Sequence, residues 1–333
     1  MKAKPEVLDC AIIGAGPAGL TAAIYLARFR RRLVVFENAD SRASWIPLTH
    51  NYPGFPEGVS GRDLLARMRL QAVSYGAEIL RATVRSLSKI RNKNFCVSID
   101  GADLPARFAL IATGVVDNRP DIPNIRNVLE NGHLRICPVC DGYEVIGKHV
   151  YIYGPFRKAL EEAVLLRGFA RKLTILLTEE TELSREDLQL TSRLKIACAD
   201  SPVATLEVKG DDIVAVTANG QRYDVEVLYP ALGAKVRSDL AGALGAKLDE
   251  SQYIITDAHL QTSIDGLYAA GDVVNELNGL SVCVGHAAIA ATAIHRRLSK
   301  ERRLLFPDGT PIGAGLPQMS ARAMAPLASP LPR

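Results

Sequence analysis

A glycine-rich turn near the start of the sequence constrains the fold of this chain more than any other feature. The turn runs from Gly14 to Gly19 and directly follows an apolar stretch, 8–13, that is typical of a buried strand. The sequence then predicts a helix at about 20–30 and a second strand at 33–36. A G-x-G-x-x-G turn between a strand and a helix is the pattern of a Rossmann-type dinucleotide-binding unit.

The three glycines of this turn have separate roles in such a unit. Gly14 permits the tight turn, Gly16 lets the backbone approach a pyrophosphate, and Gly19 lets the helix pack close to the sheet. Glu37 follows about 20 residues later, where a carboxylate can accept hydrogen bonds from an adenosine ribose. A strand–helix turn without a ligand is the alternative, but the complete context favours a nucleotide site.

A second unit of the same kind begins near residue 148. Its pattern predicts a strand, a turn, a helix and a strand at 149–153, 154–159, 160–169 and 173–177. Because the pattern recurs after about 140 residues, the sequence predicts an α/β fold with two Rossmann-like domains.

The rest of the chain is predicted to contain short strands, such as 213–218 and 225–229. A further strand, 266–270, leads to Asp272, and a helix of small residues follows at about 285–298.

Composition and charge exclude several classes of protein. The 333 residues are 48% hydrophobic and 23% charged, which is typical of a soluble globular protein of about two domains. The net charge of +4 is too scattered for nucleic-acid binding. No stretch approaches the roughly 18 apolar residues of a membrane helix, and residues 1–6 do not resemble a signal peptide. We therefore expect a cytoplasmic protein.

A C-x-x-C motif, Cys137 to Cys140, is the strongest indication of chemistry. Its spacing lets the sulfurs close a small disulfide ring, and one thiolate in such motifs is usually stabilised as a nucleophile. Structural zinc would need another ligand pair, and the remaining cysteines form no second C-x-x-C, so we predict no metal. Asp141 follows the motif and could donate or accept a proton during exchange, or serve only as a turn residue before Gly142.

Together these stretches resemble the low-molecular-weight thioredoxin reductase family of the FAD-dependent pyridine nucleotide-disulfide oxidoreductase superfamily. The match covers about residues 9–296 and implies an FAD-dependent thiol–disulfide oxidoreductase. The stretches that carry it occur in the family's order: Gly14 to Gly19 with Glu37, then 51–56, 112–114, 137–142 and 270–272.

The resemblance also implies a domain organisation. A discontinuous FAD-binding domain would comprise 1–117 and 246–306, and an inserted NAD(P)-type domain, 118–245, would carry the cysteine pair. Residues 307–333, rich in Pro, Ala and Gly, are predicted to form a flexible tail. Family members usually form homodimers and swivel the smaller domain, so that the cysteine pair meets flavin and substrate alternately.

Individual roles follow from the same resemblance. Cys140 would face the flavin ring, Cys137 would exchange with the substrate, and Asp141 would be the acid. His286, expected at the start of the last helix, would tune the flavin, act as a base, or be a helix-terminal residue without a role. The residues implied to bind or line FAD are Gly14, Gly16, Pro17, Ala18, Gly19, Glu37, Asn51, Thr113, Gly114, Gly271, Asp272 and His286.

The second nucleotide unit departs from the family pattern. Phe156 stands in place of the second glycine, where its ring is expected to obstruct a pyrophosphate, and Pro155 removes a backbone N–H. NADPH-using members carry an arginine-rich segment after the next strand, whereas 178–182 contains three glutamates that would repel a 2′-phosphate. Arg157 and Lys158 could attract a phosphate, but they equally fit an exposed first helical turn.

These departures predict electron exchange between flavin, the cysteine pair, and thioredoxin or a small disulfide or dithiol, without ordinary NADPH binding. The chain resembles in this respect ferredoxin-dependent flavin thioredoxin reductases, which take electrons from ferredoxin. It also resembles the dithiol oxidases of gliotoxin and holomycin pathways, which pass electrons to oxygen. An NAD(P)H-dependent thioredoxin reductase with an altered turn is the alternative. A non-turnover flavoprotein redox sensor is a third possibility, against which the cysteine pair and Asp141 argue.

Overall fold

The computed structural model describes residues 7–38, 41–90, 94–210, 212–274 and 277–302, and these divide into two compact units. The first unit contains the residues up to Ser41, Leu64–Gly114 and the residues from Arg237 onward. The second unit contains Arg42–Asp63 and Val115–Val236. The predicted tail, 307–333, lies outside the described residues.

A seven-stranded sheet forms the centre of the first unit. Its strands, numbered along the whole chain, are β1 (Leu8–Ile13), β2 (Leu33–Glu37), β3 (Glu78–Arg81), β4 (Val84–Lys89), β5 (Phe95–Ile99), β6 (Ala102–Ile111) and β16 (Leu267–Ala269). They run in the order β3-β2-β1-β6-β5-β4, and β16 pairs with the end of β6. Strands β2, β1, β6 and β16 are parallel, and β1 and β16 are buried throughout, as in sheets covered on both faces.

Helices complete the first unit. They are α1 (Pro17–Arg28), α2 (Gly61–Ser74, in this unit from Leu64), α7 (Asp239–Ala243) and α8 (Leu280–Arg302). The Phe29 ring, just after α1, stacks on His295 of α8 with 4.1 Å between ring centroids. The same histidine accepts a hydrogen bond from Arg31 at 3.0 Å, so the first and last helices of the unit are fixed to each other.

The second unit contains three sheets. The parallel sheet runs β10-β9-β8-β14, an antiparallel sheet runs β11-β12-β13, and β7 pairs with β15. The strands are β7 (Val115–Asp117), β8 (His149–Gly154), β9 (Lys172–Leu177), β10 (Ile196–Cys198), β11 (Val203–Lys209), β12 (Asp212–Thr217), β13 (Arg222–Val225), β14 (Val227–Pro230) and β15 (Ala234–Val236). The helices are α3 (Ile125–Glu130), α4 (Pro138–Asp141), α5 (Phe156–Leu166) and α6 (Arg185–Leu194), with 3₁₀ turns at Arg42–Trp45 and Tyr143–Val145.

The predicted α/β class with two Rossmann-like domains is confirmed, and β1 has the predicted bounds. Several other boundaries differ, and the helix predicted at about 20–30 spans Pro17–Arg28. Helix α5 begins at Phe156 rather than at 160, and α8 begins at Leu280 rather than at 285. The strand predicted at 225–229 is divided at Glu226 between β13 and β14, which belong to different sheets. Val225 and Val227 are both buried, so the apolar pattern continues through the change of sheet.

Among the helices of the described ranges, none combines the length and the apolar character needed to cross a bilayer.

Candidate active site

Cys137 and Cys140 are joined by a disulfide in the second unit, with an S–S distance of 2.08 Å and 5.2 Å between Cα atoms. Pro138 occupies the first position of α4, which suits its fixed φ and missing N–H. Cys137 is the N-cap of this helix, and its Sγ accepts a hydrogen bond from the backbone N–H of Cys140 at 3.1 Å. After reduction this N–H would stabilise a thiolate on Cys137, which favours Cys137 as the exchanging sulfur.

Asp141 is the last residue of α4, and its side chain is mostly buried. Burial raises the pKa of its carboxyl to about 6, against the opposing effect of the Arg135 guanidinium. The Arg135 Nη1 lies 3.6 Å from Asp141 Oδ2, and the hydroxyl of Tyr229 donates to the Asp141 carbonyl at 3.2 Å. A carboxyl with a pKa near neutrality can both donate and accept a proton beside a dithiol.

Three ionisable residues near Asp141 were not identified from the sequence: Arg135, Glu144 and His50. His50 Nδ1 lies 3.0 Å from Glu144 Oε1, and both residues act electrostatically on Asp141. Arg135 and Glu144 flank the C-x-x-C motif closely, so their position was a signal that sequence reasoning passed over. His50 is far away in the sequence, and only the fold brings it here.

Four predicted cofactor stretches of the first unit lie at one edge of its sheet. Gly14 follows β1, Glu37 ends β2, Thr113 and Gly114 follow β6, and Asp272 follows β16. Because these four strands are parallel, their carboxyl ends meet at the same edge, where open α/β sheets bind nucleotides.

The turn at this edge fits a dinucleotide such as FAD. A Cβ at Gly14, where φ is +113°, would lie 2.2 Å from the Ala112 carbonyl oxygen, and a Cβ at Gly19 would lie 1.8 Å from the Gly14 oxygen. Both contacts are impossible, so these positions require glycine. Within the described residues no side chain caps α1 at Gly16, and Pro17 is its first residue. The N–H groups of the next two residues, Ala18 and Gly19, lie in the first turn of α1 and could donate to a pyrophosphate.

Other members of the predicted cofactor set are held by neighbours. Arg69 forms an ion pair with Glu37, and the Thr113 hydroxyl donates to the Arg237 carbonyl at 2.6 Å. Gly271 has a φ of +82°, and a Cβ there would lie 2.8 Å from the Ala18 side chain, so the strand end packs against the glycine turn. Cys283 donates its thiol to Asp272 Oδ1 at 3.3 Å, which orients that carboxylate.

Two predicted site residues lie elsewhere than expected. His286 is not at the start of the last helix, because α8 begins six residues earlier at Leu280 and places His286 in its second turn. Asn51 is exposed and belongs to the second unit, whereas the other predicted cofactor residues belong to the first. Its side-chain oxygen accepts a hydrogen bond from the Thr49 hydroxyl at 2.8 Å.

The nucleotide-type turn of the second unit differs from that of the first. Pro155 alone separates the end of β8 at Gly154 from the start of α5, and it offers no N–H. The sequence predicted that the Phe156 ring would obstruct the turn, but the ring does not lie over it. It is 4% exposed and packs in the core beneath the parallel sheet, because α5 begins at this residue.

One of the two cationic side chains beside this turn is already paired with a carboxylate. Arg157 donates to both carboxylate oxygens of Asp187, at 2.8 and 3.1 Å. The Lys158 ammonium lies against Gly233, where it would be 2.9 Å from an added Cβ. Glu179 and Glu180, after β9, are exposed. Pairing with Asp187 therefore offsets the charge of Arg157, while the Lys158 ammonium keeps its charge.

Histidine, cysteine and carboxylate side chains nowhere gather in threes as a metal site within the described ranges.

Comparison with known proteins places these features in context. The family model described as pyridine nucleotide-disulphide oxidoreductase matches residues 8–293. A thioredoxin reductase from Peptoclostridium acidaminophilum is 31% identical over 321 residues, covering 86% of this chain and 96% of that protein. The crystal structure of HlmI matches with a TM-score of 0.82 and 28% identity, covering 89% of this chain and 94% of that one. The crystal structure of thioredoxin reductase from Streptococcus pyogenes MGAS5005 matches with a TM-score of 0.80 and 26% identity, covering 89% and 100%.

Proposed function

Since this chain belongs to the pyridine nucleotide-disulphide oxidoreductase family, as a thioredoxin-reductase-like FAD-dependent disulfide oxidoreductase, we propose that it works without ordinary NADPH binding. The family expected from the sequence motifs is confirmed. The finer proposal is that electrons pass between flavin, the Cys137–Cys140 pair, and thioredoxin or a small disulfide or dithiol.

The exchange is carried out by Cys137, Cys140 and Asp141. In one direction a substrate thiolate attacks Sγ of Cys137, the Cys137–Cys140 bond breaks, and Cys140 leaves as a thiolate. The second substrate thiol then displaces Cys137, so the substrate becomes a disulfide and the pair gains two electrons. Asp141 takes up or returns the proton that accompanies each thiol–thiolate change. FAD, when bound, supplies the two-electron acceptor or donor for the pair.

The turn after β8 is the observation that supports loss of ordinary NADPH binding. A pyrophosphate needs backbone N–H groups and a close approach to the turn, as at Gly14 to Gly19 in the first unit. In the second unit Pro155 supplies no N–H at the turn, and Arg157 is paired with Asp187. The exposed Glu179 and Glu180 would repel a 2′-phosphate.

A substitute for NADPH must then exchange the electrons. Ferredoxin is one proposed donor, and it would have to deliver one electron twice for each disulfide reduced. Oxygen is a proposed acceptor in the opposite direction, where a dithiol and O₂ give a disulfide and H₂O₂.

The organisation of the chain remains part of the proposal. We assign 1–117 and 246–306 to the FAD domain and 118–245 to the inserted domain. The division near Gly114 and Arg237 supports these bounds, whereas 42–63 groups with the second unit. We also propose a homodimer, for which light scattering should give twice the 36.0 kDa of one chain. Cys10, Cys96 and Cys198, which form no disulfide within the described residues, support a reducing, cytosolic location.

An anaerobic reduction experiment tests the proposal. The yellow holoprotein is mixed with NADPH, NADH, reduced ferredoxin or dithiothreitol, and flavin absorbance is followed. We expect dithiothreitol to bleach the flavin through the cysteine pair and both nicotinamide nucleotides to leave it oxidised. Rapid bleaching by NADPH would overturn the proposal and select the NAD(P)H-dependent alternative.

Cysteine variants control this experiment. Cys137→Ser should lose at least about 100-fold in the rate of bleaching by dithiothreitol, since the disulfide is gone. Cys198→Ser, which replaces a half-buried thiol in β10, should be bleached by dithiothreitol at the wild-type rate. Equal activity of Cys137→Ser and wild type would rule out the disulfide mechanism and favour the redox-sensor alternative.

A further inference from the structure

The surroundings of Asp141 contain an arginine, a glutamate and a histidine within a short distance of one another. We propose that Arg135 and Glu144 are positioning residues that hold the Asp141 carboxyl between opposite charges, and that His50 adjusts this balance by pairing with Glu144. The inference rests on the proposed function, in which Asp141 is the acid–base group of thiol–disulfide exchange.

Arg135 contacts Asp141 without locking it. Their closest atoms are 3.6 Å apart, beyond a tight hydrogen bond, and the Arg135 Nε is buried with no hydrogen-bond partner among the described residues. The pair Arg157–Asp187 shows the alternative, with two hydrogen bonds of 2.8 and 3.1 Å. There the pKa of the carboxyl is lowered, by Ser184 and by Arg157, whereas the pKa of Asp141 is raised. The looser contact at Asp141 leaves its carboxyl able to take a proton.

Glu144 supplies the opposing charge three residues after Asp141. Its side chain is 20% exposed, and its Oε2 is buried without a hydrogen-bond partner in the part of the chain that the structure describes. The other oxygen lies 3.0 Å from His50, which is 44% exposed and so reaches solvent. Glu144 disfavours a second negative charge at Asp141, and His50 beside Glu144 acts in the opposite direction.

Tyr229 lies beside Asp141, and Glu162 acts electrostatically on Tyr229. Burial, with the charge of Asp141 second, raises the pKa of the Tyr229 phenol, so Tyr229 stays neutral while it donates to the Asp141 carbonyl. Burial raises the pKa of Glu162 to about 7, and Glu162 acts on Tyr229 rather than directly on Asp141. Arg135, Glu144 and His50 are therefore the groups that shift the proton affinity of Asp141 in a charge-dependent way.

Paired charge-removing variants test the inference by the direction of their effects. The pH dependence of flavin bleaching by dithiothreitol is measured for Arg135→Gln, Glu144→Gln and Arg135→Lys, after equal FAD content has been established. Removal of the positive charge should move the inflection near pH 6 upward by about one unit, and removal of the negative charge should move it downward by a similar amount. Arg135→Lys should restore the wild-type position, because it keeps the charge.

A fourth variant separates failure of this inference from failure of the proposed function. If Asp141→Asn keeps the wild-type inflection, Asp141 is not the acid and the proposed function is wrong at that residue. If Asp141→Asn loses the inflection while Arg135→Gln and Glu144→Gln leave it in place or move it the same way, only the inference is overturned. A merely structural role would lower rates in both variants without shifting their profiles in opposite directions.

Discussion

At Gly14 the backbone passes through a conformation that other residues avoid, and the next strand end lies against it. The positive φ belongs to the G-x-G-x-x-G turn itself and could be expected from the sequence, whereas the contact with Ala112 depends on the fold. The φ of +113° and the approach of the Ala112 carbonyl leave no space for a side chain.

Gly14→Ala should therefore destabilise the protein by about 3 kcal/mol, because backbone strain and overpacking act together. We also expect a lower FAD content after purification, since the turn that meets the pyrophosphate must shift. Thermal unfolding and the ratio of flavin to protein absorbance measure the two effects.

Gly168→Ala is the matched control, because nothing lies within 4 Å of a Cβ built there and the residue is exposed. Gly168→Ala should lower the unfolding free energy by no more than about 1 kcal/mol. Full FAD content and an unchanged unfolding midpoint in Gly14→Ala would contradict the assigned role.

At the scale of elements, Phe156 at the start of helix α5 has a different role from the one predicted from the sequence. Phe156 is 4% exposed in a core that includes Ile152, Leu160 and Leu173. Phe156→Ala should cost about 3–5 kcal/mol of unfolding free energy, measured by chemical denaturation, because it leaves a cavity. Val164→Ala, on the exposed side of the same helix, should cost less than about 1 kcal/mol.

The same variant also tests the nucleotide site. If Phe156→Ala folds as stably as the wild type and its flavin is then bleached by NADPH, the ring obstructs a nucleotide and is not a core residue. If the ring is a core residue, Phe156→Ala is instead less stable than the wild type, and NADPH does not bleach its flavin.

Sequence reasoning succeeded where the determining contacts were local. The bounds of β1 follow from an uninterrupted apolar run that ends at a glycine, and the C-x-x-C spacing brings the sulfurs together without help from the rest of the fold. It failed at the start of α5, because the burial of Phe156 depends on strands β8 and β9 packing over it. It could not find the His50–Glu144 pair, since nothing in either neighbourhood specifies the other.

At the scale of the whole molecule, buried carboxyls make stability depend on pH. Glu162 has a pKa raised from 4.5 to about 7 by burial, with a smaller effect of Glu161. Between these two values the folded chain holds a proton that the unfolded chain releases, so stability is full below about 4.5 and falls as pH rises towards 7.

Glu162→Gln should remove this loss of stability at higher pH. We expect its unfolding free energy to exceed that of the wild type by about 2–3 kcal/mol at pH 8 and to match it at pH 4.5. Glu130→Gln, an exposed residue of the same unit, should leave the pH profile unchanged. Parallel wild-type and Glu162→Gln profiles from pH 4.5 to 8 would contradict the assignment.

The three-segment construction of the first unit has a consequence for the order of events during synthesis. The glycine turn and β6 leave the ribosome early, but β16, Asp272 and α8 follow only after the whole stretch that carries the cysteine pair. At about 10 residues per second, translation of that stretch takes on the order of 15 s. The thiols of Cys137 and Cys140 therefore emerge well before the flavin can be captured, and a cell short of flavin would accumulate chains with a redox pair but no electron partner for it.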